Sequence, residues 1–113
     1  MIYLASPFTS KKQGSDALNQ QFDRAKDAAK YAARLWAYLD QPVYSPIAHG
    51  YAIEPFMTNE HKEDHDRWML HCYQMLGRCN ELYVLCIDGW RESKGVQLEI
   101  VKALELGDRK SVV

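Results

Sequence analysis

The chain has 113 residues, 47% of them hydrophobic and 26% charged, and its formal net charge is -1. One domain with a modest core follows, and disorder is excluded. The near-neutral charge excludes a general polyanion binder, so no nucleic acid polymer is expected as a partner, and no apolar run is long enough to span a membrane.

The chain opens Met-Ile-Tyr-Leu-Ala-Ser-Pro. Residues 2–5 are strand formers without a basic flank, so a strand is expected there rather than a signal peptide. Pro7 ends it, because proline has no N–H for a ladder. Residues 8–15 are polar and predict a loop. Leu18, Phe22, Ala25, Ala29, Ala32, Leu35 (or Trp36) and Leu39 then recur at steps of three and four. That spacing predicts a helix over about 16–40 with this side inward, capped by Ser15 or Asp16.

Gln41-Pro42 stops the helix, and Val43-Tyr44-Ser45 predicts a second strand. Ser45-Pro46-Ile47-Ala48-His49-Gly50 breaks it, and residues 50–63 are expected to form an irregular lid. Residues 64–78 predict a helix with Trp68, Leu70, Cys72, Met75 and Leu76 near one side. Residues 82–87 give the strongest strand signal, and their unbroken apolar run suits a strand covered on both faces. Asp88-Gly89-Trp90 turns the chain. A helix is predicted over about 94–106, with Val96, Ile100, Ala103 and Leu104 inward and Gly107 closing it. Ser111-Val112-Val113 predicts a short last strand. The alternation of strands and helices implies a parallel sheet with helices on both faces.

Cys72, Cys79 and Cys86 form an odd set without paired short spacings. Reduced thiols packed in the core of a cytoplasmic protein are expected. His61-Lys62-Glu63-Asp64-His65 carries two histidines at i, i+4 but no third ligand, so it reads as a solvated charged segment and no metal is expected.

Ligands of an open parallel sheet bind beyond the carboxyl ends of its strands. Residues 6–10, 45–49 and 88–95 converge there. The densest stretch is Gly89-Trp90-Arg91-Glu92-Ser93-Lys94-Gly95-Val96-Gln97-Leu98-Glu99. Ser93 and Gly95 flank a helix start whose free N–H groups favour an anion. Glu99 follows in the same helix, and its side chain tilts back toward that end. Phosphate and carboxylate would stand roughly 6–9 Å apart, from a rise of about 1.5 Å per residue. Read from spacing alone, the plainer reading is the favoured one, with Ser93 a simple N-cap and Glu99 a solvated helical residue.

Ser93-x-Gly95-Val96-x-x-Glu99 after Ile87-Asp88-Gly89-Trp90 resembles the nucleoside 2-deoxyribosyltransferase superfamily. The resemblance is nearest to the domain of unknown function 1937 type, related to 2′-deoxynucleoside 5′-monophosphate N-glycosidases. Tyr3-Leu4-Ala5-Ser6-Pro7-Phe8 is similar to the opening strand and loop of that superfamily, and Tyr44-Ser45-Pro46-Ile47-Ala48-His49 to its second strand end. The resemblance spans residues 2–107. It implies an α/β fold, a flavodoxin/Rossmann-like open parallel sheet of about four or five strands with helices on both faces.

It also implies a mechanism. Glu99 attacks C1′ of the sugar, and water or a second base resolves the glycosyl ester. Tyr3 orients Glu99. Ser6, Pro7, Phe8, His49, Asp88, Trp90, Ser93 and Gly95 are the expected substrate-binding residues, with a structural loop cap the alternative for His49 and a contact with a second subunit the alternative for Trp90. Ser93, where base-exchanging relatives tend to have Asp, favours a 5′-phosphate, since a hydroxyl donates to an anion that a carboxylate repels. No cofactor is expected, and a homodimer or larger homo-oligomer is.

Two departures stand out. The first loop, Ser6-Pro7-Phe8-Thr9-Ser10-Lys11-Lys12, lacks the Gly and Arg common in the monophosphate hydrolases. Cys72 stands where relatives usually have Asp, with Asp66 or His71 as candidate substitutes. These departures motivate an alternative, a nucleotide-binding domain without turnover, and beyond it a purely structural or partner-binding domain.

Overall fold

The computed structural model describes residues 1–62, 64–107 and 109–112. Glu63 of the charged segment and Val113 of the expected last strand lie outside the described residues. The elements run β1 (Ile2–Ala5), α1 (Gly14–Leu39), β2 (Val43–Tyr44), α2 (Pro46–Ile53), a 3-10 turn (Glu54–Phe56), α3 (Asn59–Lys62), α4 (His65–Leu76), β3 (Glu81–Val84), α5 (Lys94–Leu106) and β4 (Arg109–Val112).

All pairings are parallel, and the strand order is β2-β1-β3-β4. The path steps outward from β1 to β2, then reverses across β1 to β3. Right-handed crossovers therefore put α1 on one face and α4 and α5 on the other. The helix contacts agree, with α1 against α2 and α4 against α5. All four β1 residues are buried, as expected for a strand covered on both faces. Alternation sends Tyr3 and Ala5 to one face. There they pack with Leu76, Cys79, Leu82, Val84, Val96 and Ala103. The strand order reverses between β1 and β3, and open parallel sheets hold ligands at the carboxyl ends of such a reversal.

Several expectations are corrected. In α1 only Ala25 and Ala28 are buried. Leu18, Phe22, Trp36 and Leu39 are exposed, and so is Ala29. Small alanines let the helix approach the sheet closely, and the large apolar residues fall on its flanks. Residues 46–53 are helical rather than a break. The Ser45 hydroxyl accepts from Ala48 N at 3.1 Å, and Pro46 holds the first helical position, where its missing N–H costs nothing.

The strand expected over 82–87 stops at Val84. Leu85 N still donates to Ala5 O at 2.8 Å, but β1 ends there and Pro7 extends no ladder. Leu70 of α4 and Leu104 of α5 are exposed, whereas α5 buries Val96, Glu99 and Ala103. The last helix ends as expected, with Gly107 left-handed at φ 75°.

Candidate functional site

The inward line of α5 is Val96, Glu99 and Ala103, at the i, i+3, i+7 spacing of one helix face. A carboxylate is thus carried into the core, against the reading of Glu99 as a solvated residue. Glu99 is 5% exposed. Its partner is Tyr3, whose hydroxyl donates to Glu99 Oε2. Burial pushes the Glu99 carboxyl up to about 7, and the Tyr3 hydrogen bond opposes that rise. The Tyr3 phenol is driven far above its usual range by burial and by the adjacent Glu99, so it stays a neutral donor. Together they form a carboxylate held in one orientation, poorly solvated and more basic than usual.

Ser93 caps α5, its hydroxyl accepting from Val96 N at 3.3 Å. Gly95 follows in the first turn, half-buried. Ser6 lies just past β1 at 3% exposure. Its hydroxyl is buried without a hydrogen-bond partner, an arrangement that calls for explanation at a strand end. The Pro7 side chain is fully buried. Phe8 turns its ring to Tyr51 of α2, with centroids 6.0 Å apart. Asp88 is exposed, and Trp90 packs partly buried against the core beside Tyr3 and Val96.

One residue outside the expected set joins these loops. Arg24 of α1 donates through Nη1 to Phe8 O at 3.4 Å and Thr9 O at 2.7 Å, and through Nη2 to Asp88 O at 3.0 Å. It bridges the loops after β1 and β3. Gly89 leaves room for it. At φ +92°, a Cβ there would stand 2.6 Å from Arg24 Nη2. No local pattern reveals this bridge, because the bond partners are backbone carbonyls as far as 64 residues away.

His49 belongs to a second cluster. Tyr44 stacks obliquely on Tyr3 with centroids 5.8 Å apart, and on His49 at 5.7 Å. The Tyr44 hydroxyl lies 3.4 Å from His71 Nδ1. The His49 and His71 rings are nearly parallel, at an interplanar angle of 7° and a centroid distance of 5.8 Å. Cys72, the residue next to His71, interacts electrostatically with both Tyr3 and Glu99, and burial raises its thiol to about 11. It is a neutral neighbour of the pair, not a carboxylate. His71 also borders an open groove of about 540 Å³ with Gln74, Met75 and Arg78. A separate apolar cavity lies between α1 and α2, lined by Phe22, Ala25, Ala48 and Tyr51. Among the described residues no group of three or more His, Cys, Asp or Glu could hold a metal ion.

Comparison with known families decides the relationship. The model of the family described as Domain of unknown function (DUF1937) matches residues 1–113. The chain belongs to this family. No curated protein matches it. The Tyr3–Glu99 pair and the Arg24 bridge are thus features of a DUF1937 domain.

Of the residues expected from sequence, this DUF1937 chain brings Tyr3 and Glu99 into direct contact. It sets Ser6, Phe8, Asp88, Ser93 and Gly95 on the segments that follow β1 and β3. His49 stands with Tyr44 and His71 on the β2 side. Tyr44 was legible only as a strand residue, since its hydroxyl partner lies on α4.

Proposed function

We propose that this domain breaks the N-glycosidic bond of a nucleoside or 2′-deoxynucleoside 5′-monophosphate, with Glu99 as nucleophile. The observation that carries the reading is the buried Tyr3–Glu99 hydrogen bond. A carboxylate withdrawn from water and aimed by a neutral donor suits attack on an electrophilic sugar carbon. Glu99 bonds to C1′, the base departs with the bonding electrons, and water or a second base then displaces the ester. In this reading Ser93 and the Gly95 backbone anchor the 5′-phosphate at the start of α5, and the unpartnered Ser6 hydroxyl bonds the substrate.

The strand order supports a flavodoxin-like class, in which ligands bind at the β1/β3 reversal. Phe8, Asp88 and Trp90 would then border the ligand. The protein would act in the cytoplasm without a cofactor, as a homodimer or larger assembly.

Cys72, a neutral thiol beside Glu99, favours a second reading in which the nucleotide is bound and not cut. A panel of nucleosides and 5′-monophosphates, assayed by chromatography for free base, separates the two. Base release by the wild type and none by Glu99→Ala supports catalysis. A nucleotide that raises the melting temperature yet survives long incubation supports binding alone.

A further inference from the structure

We infer that Arg24 is a positioning residue that sets the spacing of the loops after β1 and β3, a role that rests on the proposed ligand at the β1/β3 reversal. The first of these loops holds few bonds of its own. Residues 8–12 make no backbone–backbone hydrogen bond among the described residues. A side-chain bond between Ser10 and Gln20 and the Phe8–Tyr51 ring contact tie them to α1 and α2. Neither reaches the loop after β3. The strands part after the bond from Leu85 N to Ala5 O at 2.8 Å. Beyond it, Arg24 is the only hydrogen-bonded link between the two loops among the described residues.

The link suits a guanidinium. Nη1 meets Phe8 O and Thr9 O while Nη2 meets Asp88 O. A planar fork serves acceptors on two loops at once, whereas a lysine ammonium is a single point. The acceptors are neutral carbonyls, and no carboxylate pairs with Arg24 among the described residues. The charge is thus spent on the loops, in bonds stronger than neutral ones. The helix that carries the side chain is itself anchored, since Ala25 and Ala28 are buried. On the far side, the missing Cβ of Gly89 leaves Nη2 its place.

The consequence falls on binding rather than on bond breaking. Phe8 and Asp88, whose carbonyls Arg24 holds, belong to the residues proposed to border the ligand. Ser6 and Ser93 lie on the same two loops. With the fork in place, the loops stand at one spacing before a ligand arrives. Without it, the ligand must order both loops as it binds, and that cost is subtracted from its affinity. Tyr3 and Glu99 bond directly to each other, and no hydrogen bond of Arg24 goes to either. Their chemistry therefore stays intact when the fork is lost.

The test applies Arg24→Ala and Arg24→Lys to the substrate that the wild type cleaves fastest. Both variants should raise KM about tenfold or more and keep kcat within about threefold, the pattern of lost binding. The lysine keeps the charge and loses the fork, so it should do no better than the alanine. Guanidinium ion at millimolar concentration, far below denaturing levels, should return the KM of Arg24→Ala toward the wild-type value. Melting curves establish that each variant is folded at the assay temperature. A wild-type KM in either folded variant, or a raised KM that guanidinium leaves untouched, would overturn the assignment while leaving Glu99 chemistry intact. Binding of a nucleotide by the wild type without cleavage would overturn the glycosidase reading alone. Calorimetry on that nucleotide then decides on Arg24, with a Kd raised about tenfold in both variants supporting it and an unchanged Kd overturning it. Neither binding nor cleavage by the wild type would overturn both.

Discussion

The Tyr3 hydroxyl donates a hydrogen bond to Glu99 across 96 residues of chain, from the second residue of β1 to the buried line of α5. A carboxyl group in that position links the acid–base behaviour of the site to the stability of the fold.

The first consequence concerns pH. Glu99 is raised from 4.5 to about 7 by burial, less the opposing effect of Tyr3. Between those values the folded chain keeps a proton that the unfolded chain has lost. The stabilisation is therefore complete below the unfolded value and is lost as pH rises through the folded one. At about 1.4 kcal/mol per pKa unit the swing is about 3 kcal/mol. Glu99→Gln, which stays neutral, should lack it. Urea midpoints at about pH 5 and about pH 8 check this, because the wild type should weaken relative to the variant at the higher pH. Parallel curves would mean that Glu99 titrates as an ordinary carboxyl.

Tyr3→Phe keeps the ring and removes only the donor. Without its hydrogen bond the Glu99 carboxyl should titrate higher still. The variant should lose about 1.5–3 kcal/mol where Glu99 is charged and less where it is neutral, as for a hydrogen bond to a charged group. A carbon-13 titration of the Glu99 carboxyl reads the shift directly. An unchanged or lower midpoint would contradict the role given to Tyr3.

Ser93 has two separable roles. Its capping bond to Val96 N is structural, and Ser93→Ala should cost about 0.5–2 kcal/mol. Ser93→Asp restores a good cap but repels phosphate. On the proposed reading it should keep near-wild-type stability while raising KM for a 5′-monophosphate about tenfold over its effect on the matching nucleoside. Equal effects on the two substrates would remove Ser93 from phosphate recognition.

Arg24 and Gly89 should be energetically coupled. An alanine at residue 89 would displace the Arg24 guanidinium, which then gives up its bond to Asp88 O, and it would also strain a backbone at φ +92°. Gly89→Ala should cost about 1–3 kcal/mol in the wild type. In an Arg24→Ala background only the backbone part remains, so a double-mutant cycle should return a coupling near 1 kcal/mol. Additive losses would show that Arg24 does not hold that loop.

Much of the architecture was legible because its signals are local. β1, α4 and α5 follow from apolar period, and Gly107 from its place after the last periodic residue. Ser45-Pro46 was an N-cap and first-turn proline, read as a break because the helix after it is only eight residues long. The inward face of α1 was misassigned because two alanines pack there while Leu18, Phe22 and Trp36 stay exposed. Size alone does not reveal which part of a wide apolar stripe meets a sheet. At the site, Glu99, Tyr3 and Ser93 stood out by spacing and resemblance. Arg24 and the Tyr44–His71 contact did not, because each depends on segments that only the sheet order brings together.

The most direct test of the central proposal is the rate of free-base release by wild type and Glu99→Ala at equal concentration, on the nucleoside or 5′-monophosphate that the wild type cleaves fastest. The account predicts steady release by the wild type and a loss of at least about a thousandfold in the folded variant, as for removal of a covalent nucleophile. Comparable release by a folded Glu99→Ala protein would contradict it.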